Sequence, residues 1–127
     1  MKFLLYLVLI TLAGRLYSQT EVQNVDALTF KKIMEEHKSI VIDLRTDDEI
    51  EKKGMIKSAR QIDYLSKNAE TKIETLNRDS TYLIYCAGGG RSEECATLMK
   101  KLGFKHVVNL EKGFSEWKAR GLETIKR

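Results

Sequence analysis

The chain of 127 residues has no proline, two cysteines, two histidines and one tryptophan. Without proline, its turns must rest on glycine and Asx residues, and no stiff proline-rich linker divides it. Two cysteines cannot make a disulfide scaffold, although Cys86 and Cys95 could form one bridge in an oxidising compartment. There is no CxxC pair, and His37 and His106 are far apart and lack ligand spacing near a cysteine, so no metal site is indicated. Charge of one sign is not concentrated either. The formal net charge is +4, from 22 basic and 18 acidic residues that are interspersed, which argues against a dedicated nucleic-acid binder. The length allows one domain with a modest core.

One long apolar run is present, and it is short for a membrane span. Lys2 precedes an uncharged stretch from Phe3 to Gly14, ended by Arg15. A helix over those positions rises about 18 Å against a hydrocarbon core of about 30 Å. A basic start followed by such a run has the pattern of a secretory signal peptide. The expectation is a signal over 1–18, cut near Ser18, and a mature domain over 19–127. It carries with it a periplasmic or secreted location and no stable membrane insertion after cleavage.

The remaining chain alternates strand and helix patterns. Thr29 is placed as the cap of a helix bearing Phe30, Ile33 and Met34. Ile40-Val41-Ile42 is a β-branched run suited to a buried strand, with Asp43 at its exit. Asp47, Asp48 and Glu49 put acids in the first turn of a short helix stopped by Gly54. Lys57 to Ile62 holds a short strand or turn, and Ser66 is placed as the cap of a helix carrying Ala69, Ile73 and Leu76. Tyr82-Leu83-Ile84-Tyr85 is the next buried strand. After a glycine-rich loop comes a helix with Cys95, Met99 and Leu102 on one stripe. Val107 to Leu110 form a third clear strand, and Gly113 opens a last helix with Phe114 and Trp117 inward. Such alternation specifies an α/β fold, a mostly parallel sheet of about five strands with helices on both faces.

The chemistry concentrates at Cys86-Ala87-Gly88-Gly89-Gly90-Arg91-Ser92. A strand that delivers a cysteine into a glycine turn and then a helix N-terminus surrounds the sulfur with outward N–H groups. Those groups favour the thiolate over the thiol. Thiolate is a strong nucleophile and a sulfur carrier, and the same donors suit a persulfide. The glycines lack the G-x-G-x-x-G spacing and the G-K-[ST] ending of nucleotide loops. Four residues separate Cys86 from Arg91, one fewer than the Cys-x5-Arg loop of cysteine phosphatases, and the smaller ring fits one sulfur better than a tetrahedral oxyanion.

These residues resemble the active-site loop of single-domain rhodanese sulfurtransferases, Cys-x-x-Gly-x-Arg followed by Ser, here Cys86, Gly89, Arg91 and Ser92. The resemblance extends over most of the mature chain. It includes the Asp-x-Arg strand exit (Asp43, Arg45), the acid Glu49, Gly54, Ile56 and Ala59, then Leu102-Gly103-Phe104, Val107 to Leu110, Gly113, Trp117 and Gly121. It implies that Cys86 takes a sulfane sulfur from thiosulfate or a persulfide and passes it to a thiol or cyanide. In this scheme the amides of Ala87, Gly88, Gly89, Gly90 and Arg91 cradle the outer sulfur, and Arg91 braces the loop. Asp43, Arg45 and Ser92 support the site. No cofactor and no metal are implied. The partners are a small-molecule or protein sulfur donor and a thiol acceptor, with no nucleic acid. Two departures stand out: Met55 replaces a histidine, and Lys112 replaces a glycine before Gly113. Ala87, Gly88 and Gly90 add no charge to the loop, which implies weak thiosulfate activity. Two other readings stay open: a catalytically idle rhodanese-like binding module, and a thiol–disulfide redox protein using Cys86 and Cys95. Against the second, Cys95 lies on an apolar stripe where a cysteine is ordinarily buried and inert. His37 is read as a helix-end residue, His106 as preceding a strand, Trp117 as core, and Lys100, Lys101 and Lys105 as a solvated rim.

Overall fold

The β-branched run Ile40–Asp43 (β2) pairs with Thr81–Tyr85 (β4) in the middle of a five-stranded sheet, in a computed structural model that describes residues 21–127. The expected signal peptide over 1–18 lies outside the described residues. The other strands are Glu21–Val25 (β1), Arg60–Gln61 (β3) and His106–Leu110 (β5), in the order β1-β5-β4-β2-β3. Every pairing is parallel.

Alternate residues of each strand point to opposite faces, and the parallel register brings same-facing positions side by side, so each face of the sheet collects its own apolar set. Val41, Leu83, Tyr85, Val108 and Leu110 pack beneath Ala27–Glu36 (α1) and Gly113–Ala119 (α5), against Ala27, Phe30, Phe114 and Trp117. On the opposite face, Ile42, Tyr82, Ile84 and Val107 pack under Ala69–Glu74 (α3) and Gly90–Lys101 (α4), with Ile73, Cys95, Ala96 and Met99. The fifth helix, Asp47–Lys53 (α2), stands at the carboxyl edge of the sheet after β2. This is the α/β architecture expected, with helices on both faces.

Several local boundaries differ from the sequence reading. Asp26, not Thr29, caps α1, and its carboxylate accepts from the Thr29 amide at 2.8 Å. Ser66 does not cap α3; its hydroxyl donates to the Asp63 carbonyl at 2.7 Å, and the helix begins after Asn68. Strand β1 has no counterpart in the sequence reading, because it is an edge strand, mostly exposed, with only Val22 and Val25 half-buried among its apolar positions. Met55 is buried and pairs its backbone with Ile125 in an isolated antiparallel bridge, a packing role in place of a histidine. Both histidines are exposed, His37 at the end of α1 and His106 at the start of β5, and Trp117 is buried.

Candidate functional site

Strand β4 ends at Tyr85, and Cys86 enters the turn that leads into α4. Gly89 occupies the position before that helix with φ +109°, a left-handed backbone that strains any residue with a Cβ. The turn folds back so that the Gly89 amide donates to Cys86 Sγ at 3.1 Å and the Ser92 amide at 3.4 Å. As a thiol, the sulfur donates to Ser92 Oγ at 3.5 Å, and that hydroxyl donates to the Gly89 carbonyl at 3.1 Å. Burial pushes the thiol pKa up. The Ser92 hydroxyl and the amides of Ser92, Gly89 and Arg91 outweigh it, so the group ends below the ordinary thiol range.

The sulfur lies beneath the loop rather than proud of it: Cys86 is only 1% exposed and joins the apolar cluster under α4. Of the loop amides, those of Gly89 and Arg91 act on it, joined by Ser92 from the first turn of α4. Among the described residues, the amides of Ala87, Gly88 and Gly90 make no bond to Sγ; Gly88 and Gly90 are exposed and Ala87 is half-buried.

A second helix N-terminus holds the loop from outside. The Phe114 amide donates to the Cys86 carbonyl at 2.8 Å, and the Ser115 amide and hydroxyl donate to the Ala87 carbonyl at 3.1 and 3.0 Å. Those contacts fix the first two peptide groups of the loop against α5, ahead of the Gly89 amide that reaches the sulfur. Gly113 allows this approach: it has φ +68°, and a Cβ there would collide with the Ala87 carbonyl group. A Cβ on Gly89 would likewise collide with the Glu111 carbonyl. Loop and β5–α5 turn are therefore in backbone contact, which two glycines make sterically permissible.

Two ion pairs frame the turn. Arg91 makes a bidentate pair with Glu49, at 2.7 and 2.9 Å, tying the start of α4 to α2. Glu49 also closes the capping box of α2 with Thr46, and the Arg91 guanidinium, partly opposed by burial, holds its carboxyl down at about 2. Arg91's charge is thus engaged by a carboxylate. Deeper in, Asp43 and Arg45 are 0% and 1% exposed and form a second bidentate pair. Arg45 donates to the Gly54 carbonyl at 2.8 Å and stacks over the Phe114 ring at 4.0 Å. The Tyr85 hydroxyl donates to Asp43 at 2.6 Å and accepts from the Ile56 amide at 3.1 Å. Burial, then the Asp43 carboxylate, push Tyr85 far above its usual range and keep it a neutral donor. This network is closed on itself and supports the strand ends from below.

Cys86, Gly89, Arg91 and Ser92 therefore come together at one point, with Ala87, Gly88 and Gly90 forming the outer turn and Asp43 and Arg45 its buried support. Cys95 is free, as is Cys86, and burial followed by the nearby Cys86 pushes its thiol up to about 12. Among the described residues, no group of three or more His, Cys, Asp and Glu side chains gathers as a metal centre requires. Sequence reasoning passed over Tyr85, read only as a strand residue, and Ser115, which was given no role. A serine two residues after a glycine at a helix start is a weak signal, and its partner lies 28 residues away.

A cysteine held by peptide donors at the carboxyl end of a parallel sheet defines a cysteine-loop α/β domain. The chain belongs to the Rhodanese-like domain family, whose model matches residues 26–120. It is 33% identical over 98 residues to YtwF of Bacillus subtilis (strain 168), whose name gives sulfurtransferase as a provisional activity; the match covers 76% of this chain and 91% of that protein. It is 33% identical over 87 residues to a sulfurtransferase of Allochromatium vinosum, covering 68% and 78%. Among solved structures, a Rhodanese-like domain protein from Staphylococcus aureus superposes with a TM-score of 0.68 at 28% identity, covering 82% of this chain and 99% of that one.

Proposed function

We propose that the protein is a sulfurtransferase that carries one sulfane sulfur as a persulfide on Cys86. The observation that carries this reading is the convergence of the Gly89 and Ser92 amides on Cys86 Sγ, which lowers the pKa of an otherwise buried thiol. The Cys86 thiolate attacks the outer sulfur of a donor persulfide, R–S–SH. The donor's S–S bond breaks, R–S⁻ leaves with the electron pair, and Cys86–S–SH forms. An acceptor thiolate then attacks the outer sulfur, and Cys86 leaves as thiolate, a step favoured by its low pKa. Sulfur is exchanged with no external oxidant.

A persulfide donor is favoured over thiosulfate. Arg91 is engaged by Glu49 and the other loop residues are uncharged, so the loop itself offers little free side-chain charge to hold dianionic thiosulfate over the sulfur. The basic start and apolar run of residues 1–18 support a further proposal, that the chain is exported to the periplasm or beyond the cell; N-terminal sequencing of the protein recovered from cell fractions tests it.

Intact mass spectrometry after exposure to glutathione persulfide, and separately to thiosulfate, tests the activity. Addition of one sulfur at Cys86, removable by a thiol, is the expected result, with thiosulfate the slower donor. A folded, reduced protein that acquires no sulfur from either would leave the binding-module reading in its place.

A further inference from the structure

Beside the loop, between α2 and α5, lies a groove of about 340 Å³, at the small end of ligand sites. Ala87, the residue after the cysteine, forms part of its wall, the exposed Ala119 gives it an apolar surface, and the buried Phe114 lies at its base. Lys53 and Lys118 line it from the two helices. The Lys118 ammonium donates to the Lys53 carbonyl at 3.2 Å, which brings both lysines to one rim. Among the described residues neither ammonium has a carboxylate partner within ion-pair distance. The acid in the lining, Glu49, is bonded to Arg91, and the third cation, Arg45, is bonded to Asp43. The unneutralised charge of the groove is therefore positive, next to the sulfur loop rather than inside it.

We infer that this groove is the acceptor subsite, and that it takes a small thiol bearing two carboxylates. This rests on the sulfurtransferase reading. The two ammonium groups pair with the carboxylates, the acceptor's carbon chain lies along Ala119, and its thiolate approaches the outer sulfur on Cys86 across Ala87. The transfer step is unchanged: a new S–S bond forms to the acceptor, the Cys86–sulfur bond breaks, and the electron pair remains on Cys86 Sγ. The lysines position the acceptor; they do not take part in the bond changes. Because solvated lysine–carboxylate pairs are individually weak, the two act together.

The test compares mercaptosuccinate, a dicarboxylate thiol, with thioglycerol, a neutral one, as acceptors from Cys86 persulfide protein. The quantity read is the ratio of their second-order rate constants, which cancels any common effect on the loop. Lys53→Glu/Lys118→Glu lowers that ratio about tenfold, and the milder Lys53→Gln/Lys118→Gln lowers it about threefold. An unchanged ratio in both folded variants overturns the subsite while leaving sulfur transfer intact. A second measurement does not depend on transfer: S-methyl mercaptosuccinate is titrated into Cys86→Ser protein and followed by NMR. Shifts at Lys53, Lys118 and Ala119 support the subsite even if Cys86 never loads, and their absence at millimolar ligand argues against it.

Discussion

Cys86 and Cys95 differ in almost nothing that burial records. Each is 1% exposed, both are free, and both belong to the apolar cluster under α4. Their acidities move in opposite directions. Cys95, on an inner turn of the helix, meets burial first and then the neighbouring charges of Cys86 and Glu94, and rises to about 12. Cys86 suffers burial as well, but it sits ahead of the helix, where the amides of Gly89, Arg91 and Ser92 have no carbonyl of a preceding turn to bond and the Ser92 hydroxyl stands beside the sulfur. The acidity of these two buried thiols thus follows the unsatisfied helix-end donors and not solvent access. A buried cysteine is inert where the backbone is satisfied and acidic where the sulfur itself satisfies it.

The comparison can be broken most severely by removing either sulfur. Cys86→Ser is expected to abolish sulfur loading, whereas Cys95→Ala keeps loading and costs about 1 kcal/mol of stability from a small core void. Loading lost in the Cys95 variant, with the fold retained, would contradict the contrast. Next in size is Gly89→Ala. The added Cβ meets the Glu111 carbonyl at a positive φ, so the turn must shift. The rate of loading should fall about a hundredfold and stability by about 1–3 kcal/mol, read by single-turnover mass spectrometry and denaturant unfolding.

Ser92→Ala offers a subtler probe. Removing the hydroxyl should raise the Cys86 titration midpoint toward the ordinary thiol value of about 8.5 and slow loading several-fold. Thiolate absorbance against pH checks it, and the Cys95 midpoint should stay near 12. The smallest effect concerns Glu49, which anchors Arg91 and hence the first turn of α4. Its folded pKa, about 2, lies below the unfolded value of about 4.3, so its contribution is present above pH 4.3 and is lost as pH falls toward 2. Glu49→Gln should cost about 1–2 kcal/mol at neutral pH and flatten that acid-side loss, measured by denaturant unfolding from pH 7 to pH 2.

Much of this arrangement is legible in the chain itself, for identifiable reasons. β2 and β4 are continuous apolar runs that only a doubly covered strand explains. The cysteine, glycines and arginine of the loop stand in unbroken sequence, so their meeting is local. Strand β1 was invisible because an edge strand with a polar exposed side lacks an apolar run. The cap of α1 fell three residues early because Asp26 and Thr29 are both capping types, and only the burial of Ala27 decides between them. The grip of Phe114 and Ser115 on the loop carbonyls, and the reach of Tyr85 to Asp43, join residues 28 and 42 positions apart, which no local pattern announces. The groove with Lys53 and Lys118 is of the same kind: helices distant in sequence must pack before the two charges become neighbours.

The clasp of α5 on the Cys86 and Ala87 carbonyls has a thermodynamic consequence. With the start of the turn held by an outside helix, the Gly89 and Ser92 amides already meet the sulfur and need not rotate when negative charge appears on it. The reorganisation that bulk water would undergo at each event is completed here once, during folding, so little of the activation barrier to sulfur exchange should come from rearranging the donors.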